Sequence, residues 1–168
     1  DITERMNVYA FWGTEDVIGL TDPRKSELGT RLLTSDYHET NGNYDTHRLS
    51  LDIVDSEWDF ETGTTFPANA NMDLMNGIDF KKGCFIGQEV VSRMKRMTDV
   101  KKRMQSVKLK KEAAVGDKII CDGRVIGNLV HINNNYAMAI IRLDRLKNSQ
   151  KLLTIDNVEI NMMERHFE

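Results

Sequence analysis

Cysteine is scarce in this chain of 168 residues: there are two, Cys84 and Cys121. They show neither CxxC nor Cys/His spacing, so neither a structural zinc site nor a disulfide framework is expected, and no stable metal site is predicted. A reducing compartment, the cytoplasm in the first instance, fits that usage. Long apolar runs are also missing. No stretch approaches the roughly 18 residues of a membrane helix, so no membrane partner is expected. The opening DITERMNVYAFWG lacks the charged-then-apolar layout of a signal peptide. Internal repeats and low-complexity tracts are absent.

What is present suits a globular protein of one or two domains: 40% hydrophobic and 29% charged residues. The net charge of −3 hides an asymmetry. Between Arg93 and Lys111 nine basic residues face one acid, Asp99, giving +8 there and −11 elsewhere. Such a block reads as a solvated face or as a seat for an anionic ligand or an acidic partner. RNA would want aromatic side chains for base stacking, and the block has none, so direct RNA binding is not expected.

Along the chain, MNVYAFWG (6–13) and TRLLTS (30–35) read as strands, with VIGL as a short apolar run between them. NGNY marks a turn before YDTHRLSLDIVD, where Leu49, Ile53 and Val54 recur at helical spacing. Residues 56–71 have no period, and Trp58, Phe60 and Phe66 suggest an ordered, packed loop. ANMDLMNG (70–77) predicts a short helix stopped by Gly77. IGQEVVSRMKRM (86–97) predicts a stronger one, with Val90, Val91, Met94 and Met97 on one face and a Glu89–Arg93 pair. From about residue 103 the pattern becomes short β-rich runs separated by CDGR, NNN and DN turns, the signature of a small antiparallel barrel or sandwich. The basic segment near 95–103 joins the two parts. Cys121 and His131 fall in strand patterns and read as structural.

The segment KKGCFIGQEV (81–90) mixes residues that a plain solvent loop does not need. Cys84 lies just ahead of the expected helix start. There the positive end of the helix dipole, free N–H groups and the charges of Lys81 and Lys82 would favour the thiolate, below the free value of about 8.5. Gly83 and Gly87 allow tight turning and close approach of a ligand. Gln88 offers a donor and an acceptor, and Glu89 suits the first helical turn. A lone cysteine is also often just a small buried apolar residue. None of His38, His47, His131 and His166 is tied by spacing to Cys84 as a base.

These residues carry a resemblance. Lys82-Gly83-Cys84-Phe85-Ile86-Gly87-Gln88-Glu89, with FPANANMDLMNGIDF before it and KKRM after it, resembles the signature of the YgfZ-type folate-binding proteins. That family belongs to the aminomethyltransferase-like superfamily of the glycine-cleavage T-protein and includes the mitochondrial iron–sulfur assembly factor branch. DPRKSELGTR is similar to its Asp-Pro-Arg…Leu-Gly-x-Arg element, giving Asp22, Arg24 and Arg31, and RLDR (142–145) is similar to the close of its barrel. FPANAN departs from the family pattern, with Asn69 in place of an acid. The resemblance implies an α+β protein, with the C-terminal part of an aminomethyltransferase-like folate-binding domain over 1–100 and an antiparallel β-barrel over 101–168. It implies a folate-binding accessory protein in iron–sulfur cluster assembly or repair, with indirect effects on tRNA modification. Cys84 would be the functional thiol. Lys82, Gly83, Gly87, Gln88, Glu89 and Arg24 would bind tetrahydrofolate or a related folate. Iron–sulfur assembly proteins or client enzymes would be partners, and the mitochondrial matrix is the alternative location. A folate-dependent one-carbon transferase and an RNA- or protein-binding module are the competing readings.

Overall fold

The computed structural model describes residues 1–13, 18–84, 86–97, 100–146, 153–156 and 158–163, with side chains at 94–97, 153 and 154 outside the description. Phe85, His166 and the side chains of Met94 and Met97 therefore lie outside the described residues, as does the start of VIGL. The chain is mostly β. Its first part forms a three-stranded antiparallel sheet, β1 (Asn7–Phe11), β2 (Leu20–Thr21) and β3 (Thr30–Thr34), ordered β1-β3-β2. Helix α1 (Tyr44–Ser50) follows, then a long run of turns, then α2 (Gln88–Met97). With two short α-helices among the described residues, the expected α+β class becomes a mostly β one.

Six strands close the barrel: β4 (Lys102–Leu109), β5 (Lys118–Cys121), β6 (Arg124–Asn133), β7 (Tyr136–Arg142), β8 (Leu153–Ile155) and β9 (Val158–Met162), in the order β4-β7-β6-β5-β8-β9. Pairing of β9 with β4, Val107 opposite Met162, completes the ring. The expected turns hold. Asp122 and Gly123 both take positive φ, 51° and 73°, as a two-residue hairpin between right-twisted strands requires. Asn134 and Asp156 take the same conformation in the turns before β7 and β9.

Two cores result. Val107, Ile119, Cys121, Leu129, Ala139, Ile141 and their neighbours fill the barrel, so Cys121 is structural. Residues facing outward from the barrel, Met104 and Met138 with Val130 and Ile140 beside them, join Leu28, Leu49, Ile53, Val54, Ala70 and Met75 in a second core. The alternating faces of β7 thus serve both cores, and the two parts of the chain share one of them. A bulge between Leu129 and His131 shifts the phase of β6, so His131 pairs with Met138 and faces outward toward α1.

Two expected helices are cut short by long-range contacts. Leu49, Ile53 and Val54 are buried as their spacing implies, yet α1 ends at Ser50. Asp52 turns left-handed at φ 61°, and its carboxylate accepts from Ser106 N–H at 2.5 Å and from Gln105 Nε2 at 3.0 Å. In place of a helix, residues 70–77 form turns. Asn71 takes φ 57°, and its Nδ2 donates to the Met104 carbonyl at 2.8 Å. The 56–71 loop is anchored by Asp59 and Phe60 rather than by all three aromatics, since Trp58 and Phe66 are half exposed.

Candidate functional site

The Cys84 loop is set by a local carboxylate. Asp79 Oδ1 accepts from the backbone N–H groups of Lys81 at 2.8 Å and Lys82 at 3.2 Å, which turns the chain sharply ahead of the cysteine. Lys82, Gly83 and Cys84 are exposed, and Ile86 is entirely so. Gly87 takes φ 86°, a conformation that costs a side chain strain, and its carbonyl accepts the first helical bond from Val91 at 3.2 Å. Helix α2 starts at Gln88, so Cys84 lies four positions ahead of it, further than the sequence suggested. Gln88 is half-buried. Glu89 is exposed and receives Arg93 NH2 at 2.6 Å, as its spacing predicted. Val90 is half exposed, so the expected apolar face of α2 is open there.

Beside the loop lies an open recess of about 440 Å³, within the size range of small-molecule sites. Pro67, Met72, Ile78, Val90 and Val91 give it apolar walls, and Asp79, Lys82 and Gly87 contribute its polar part. The structure brings Lys82 and Gly87 to this recess and leaves Arg24 elsewhere. Arg24 donates to Asp22 at 2.9 and 3.0 Å and to the Tyr44 hydroxyl at 2.6 Å, and it borders a separate cavity of about 230 Å³. Met72 and Gly77 line both spaces and separate them. Asn76 Nδ2, donating to the Pro23 carbonyl at 2.8 Å, ties that partition to the Asp-Pro-Arg turn.

Asp22 is the hub of this polar group, since Arg31 Nε also reaches it at 2.6 Å. Burial pushes its carboxyl up, but hydrogen bonds from Arg24 and the charges of both arginines outweigh that and hold it below the ordinary carboxylate range. A lowered folded value means that the unfolded chain binds the proton more tightly. The stabilisation from Asp22 is therefore present above the unfolded value of about 3.9 and is lost as pH falls through the folded one. The destabilisation caused by Asp22→Asn in urea unfolding is expected to shrink steadily below about pH 4. A deficit unchanged down to pH 2 would contradict this.

The 93–111 basic run is partly neutralised. Arg103 pairs with Asp73 through two bonds of 2.8 and 2.7 Å and also donates to the Ala68 carbonyl at 2.8 Å, and Lys110 pairs with Glu159 at 2.7 Å. The FPANAN segment thus docks on the first strand of the barrel, with the Asn69 carbonyl accepting from Met104 N–H at 2.8 Å.

Sequence reasoning missed a second charged cluster. Arg48, wholly buried, donates to both Asp59 oxygens at 2.7 and 3.1 Å and to the Ile53 carbonyl at 2.9 Å, with Asp45 at 2.5 Å on its other side. Asp45 in turn meets His131 Nε2 at 2.6 Å. The signal in the sequence is the i,i+3 spacing of Asp45 and Arg48, which lies beside the apolar spacing of Leu49, Ile53 and Val54. This cluster latches α1 to the barrel. Among the described residues no group of three His, Cys, Asp or Glu side chains is placed to hold a metal ion, and no helix is long and apolar enough to cross a membrane.

Comparison with known proteins places both halves in context. Residues 101–165 match the CAF17 C-terminal beta-barrel domain. The chain is 30% identical to the mitochondrial iron-sulfur cluster assembly factor IBA57 homolog of Dictyostelium discoideum, over 73% of this chain and 38% of that protein. It is 27% identical to human iron-sulfur cluster assembly factor IBA57, mitochondrial, over 76% and 40%, and 34% identical to the Neurospora crassa homolog over 49% and 21%. The chain spans two fifths or less of these relatives' length. The barrel is thus similar to the CAF17 C-terminal beta-barrel domain, and the chain is similar to the IBA57 proteins across both of its parts.

Proposed function

We propose that this chain serves iron–sulfur cluster assembly as an accessory factor whose working group is the Cys84 thiol. The observation that carries the proposal is the exposed thiol on a carboxylate-fixed loop beside an apolar recess, in a chain similar to proteins named as iron–sulfur cluster assembly factors. One thiol supplies too few ligands for a four-cysteine cluster, so a cluster held here as cargo would take its remaining ligands from an assembly protein or client enzyme. The relatives' names favour the mitochondrial location over the cytoplasmic one that cysteine usage suggested.

Folate belongs to the same proposal. The apolar walls Pro67, Met72, Ile78 and Val90 suit a flat ring, and Lys82 suits a carboxylate tail. Gly87 admits close approach. Arg24 is committed to Asp22 and Tyr44 and is left out of this site. Effects on tRNA modification would follow indirectly, through cluster-dependent enzymes.

The test is complementation. In cells lacking the full-length protein, wild type is expected to restore cluster-dependent enzyme activities, and Cys84→Ala is expected to leave them at the depleted level. Restoration by Cys84→Ala equal to wild type would remove the thiol from the proposal. Tetrahydrofolate titration by calorimetry separates the folate part. Heat that Lys82→Ala diminishes supports it, and no heat ends it while leaving the thiol's role intact.

A further inference from the structure

Two wall residues of the recess beside the Cys84 loop, Pro67 and Met72, belong to the run of turns at 67–76. That run is fastened to the barrel by two consecutive residues of β4. Arg103 Nη1 donates to the Ala68 carbonyl and to Asp73 Oδ1, both at 2.8 Å, and its Nη2 donates to Asp73 Oδ2 at 2.7 Å. Met104 uses both of its backbone groups. Its N–H donates to the Asn69 carbonyl at 2.8 Å, and its carbonyl accepts from Asn71 Nδ2 at 2.8 Å. The anchored residues lie between Pro67 and Met72 or next to them, so bonds made on the barrel side fix the wall on the recess side.

On its far side the run meets α2 closely. Pro67, Ala68 and Asp73 share with Ile78 and Val91 a cavity of about 20 Å³, little more than the room of one water molecule. Val91 also lines the recess, and Asp79, which turns the Cys84 loop, follows Ile78. A path of contacts thus runs from β4 through residues 67–73 to the loop. Arg103 is its directional member, because a planar guanidinium paired with both oxygens of one carboxylate sets angle as well as distance. Its side chain is 11% exposed and that of Asp73 18%, so salt screens the pair little. All these bonds join residues of this chain and hold whatever else packs over it.

We infer that Arg103 is the positioning residue of the recess: from the barrel it sets how far Pro67 and Met72 stand from the Cys84 loop. This role deepens, and rests on, the reading of the recess as a ligand site beside the working thiol. The barrel is then the frame of the site rather than an appended domain.

The probe is N-phenylmaleimide, applied to the full-length protein, with the label located on Cys84 by peptide mass. Its ring occupies the recess. The Cys84 sulfur then adds to the maleimide double bond and the adjacent carbon takes up the proton, with no leaving group. The labelling rate is expected to saturate with concentration, giving a binding constant KI and a limiting rate. Arg103→Met is expected to raise KI about tenfold with the limiting rate kept, and Arg103→Lys, which restores the charge but not the fork, about threefold. Iodoacetamide, which needs no recess, should label wild type and both variants at equal rates. Val107→Ala, which weakens the same strand from inside the barrel, should leave KI within about twofold. An unchanged KI in both Arg103 variants, or an equal rise in Val107→Ala, would overturn the inference and leave the recess standing as a site. Wild-type labelling that never saturates would instead remove the recess as a site. Arg103 is then judged by amide exchange at Gly77, whose N–H donates to the Met72 carbonyl at 2.8 Å. Exchange about fivefold faster in Arg103→Lys than in Val107→Ala would uphold its hold on the wall, and equal exchange would remove it.

Discussion

Arg48→Met is expected to destabilise the protein by about 3–5 kcal/mol, read as a lower urea midpoint with an unchanged slope. Arg48 is the largest wholly buried charged side chain among the described residues, and it holds Asp59 by two bonds in a site that water does not reach. Removing the cation leaves a buried carboxylate with only the Asp55 N–H, at 2.8 Å, among the partners described here. The double variant Arg48→Met/Asp59→Leu removes the stranded charge as well and is expected to recover much of the loss. A single variant within about 1 kcal/mol of wild type would show that the ion pair is not what anchors α1 to the following loop.

The second large effect is expected at Asp52. Asp52→Gly tolerates φ 61° and removes the carboxylate that accepts from Ser106 N–H and Gln105 Nε2, so its cost reports mainly on that carboxylate. A loss of about 3 kcal/mol is expected, because hydrogen bonds to a charged acceptor are worth about 1.5–3 kcal/mol each, and Gln105 Nε2 keeps its bond to the Met163 carbonyl at 3.0 Å while Ser106 N–H loses the carboxylate. Asp52→Ala adds the penalty of a left-handed alanine and should be worse by about 1 kcal/mol. Both tryptophans, Trp12 and Trp58, lie outside the barrel, so fluorescence follows the first part of the chain and far-ultraviolet dichroism follows mainly the barrel strands. The two transitions should coincide in wild type and separate in Asp52→Gly. Coincident transitions in the variant would mean that Asp52 does not couple the parts.

The barrel was legible in the sequence because its determinants are local. Asp122-Gly123 fixes one hairpin, Asn134 and Asp156 fix two more, and short runs rich in isoleucine, valine and leucine lie between them. The helix expected at 70–77 was not legible as absent, because Asn71 answers to Met104, 33 positions away. The same holds at Asp52, whose partners Gln105 and Ser106 lie 53 and 54 positions on. The Cys84 loop was visible as a motif, and the structure adds the Asp79 turn and the neighbouring recess. Arg24 was assigned to that site by resemblance, and no pattern in the sequence could show that Met72 and Gly77 stand between them. The basic run drew attention by its density, whereas the charge that matters most to packing, Arg48, is a lone cation among acids.

The core shared by Leu28 and Met138 also has a consequence for synthesis. A ribosome adding about 5–20 residues per second needs roughly 5–20 s to pass from one to the other. Throughout that interval Leu28, Leu49 and Ile53 have no outer barrel wall to close against, because β7 has not emerged. The segment that carries Leu28, Leu49 and Ile53 must therefore wait, partly apolar at its surface, for β7 to arrive. This order of assembly makes the early segment the natural client of a chaperone, and makes slow translation through residues 60–140 a hazard rather than a help.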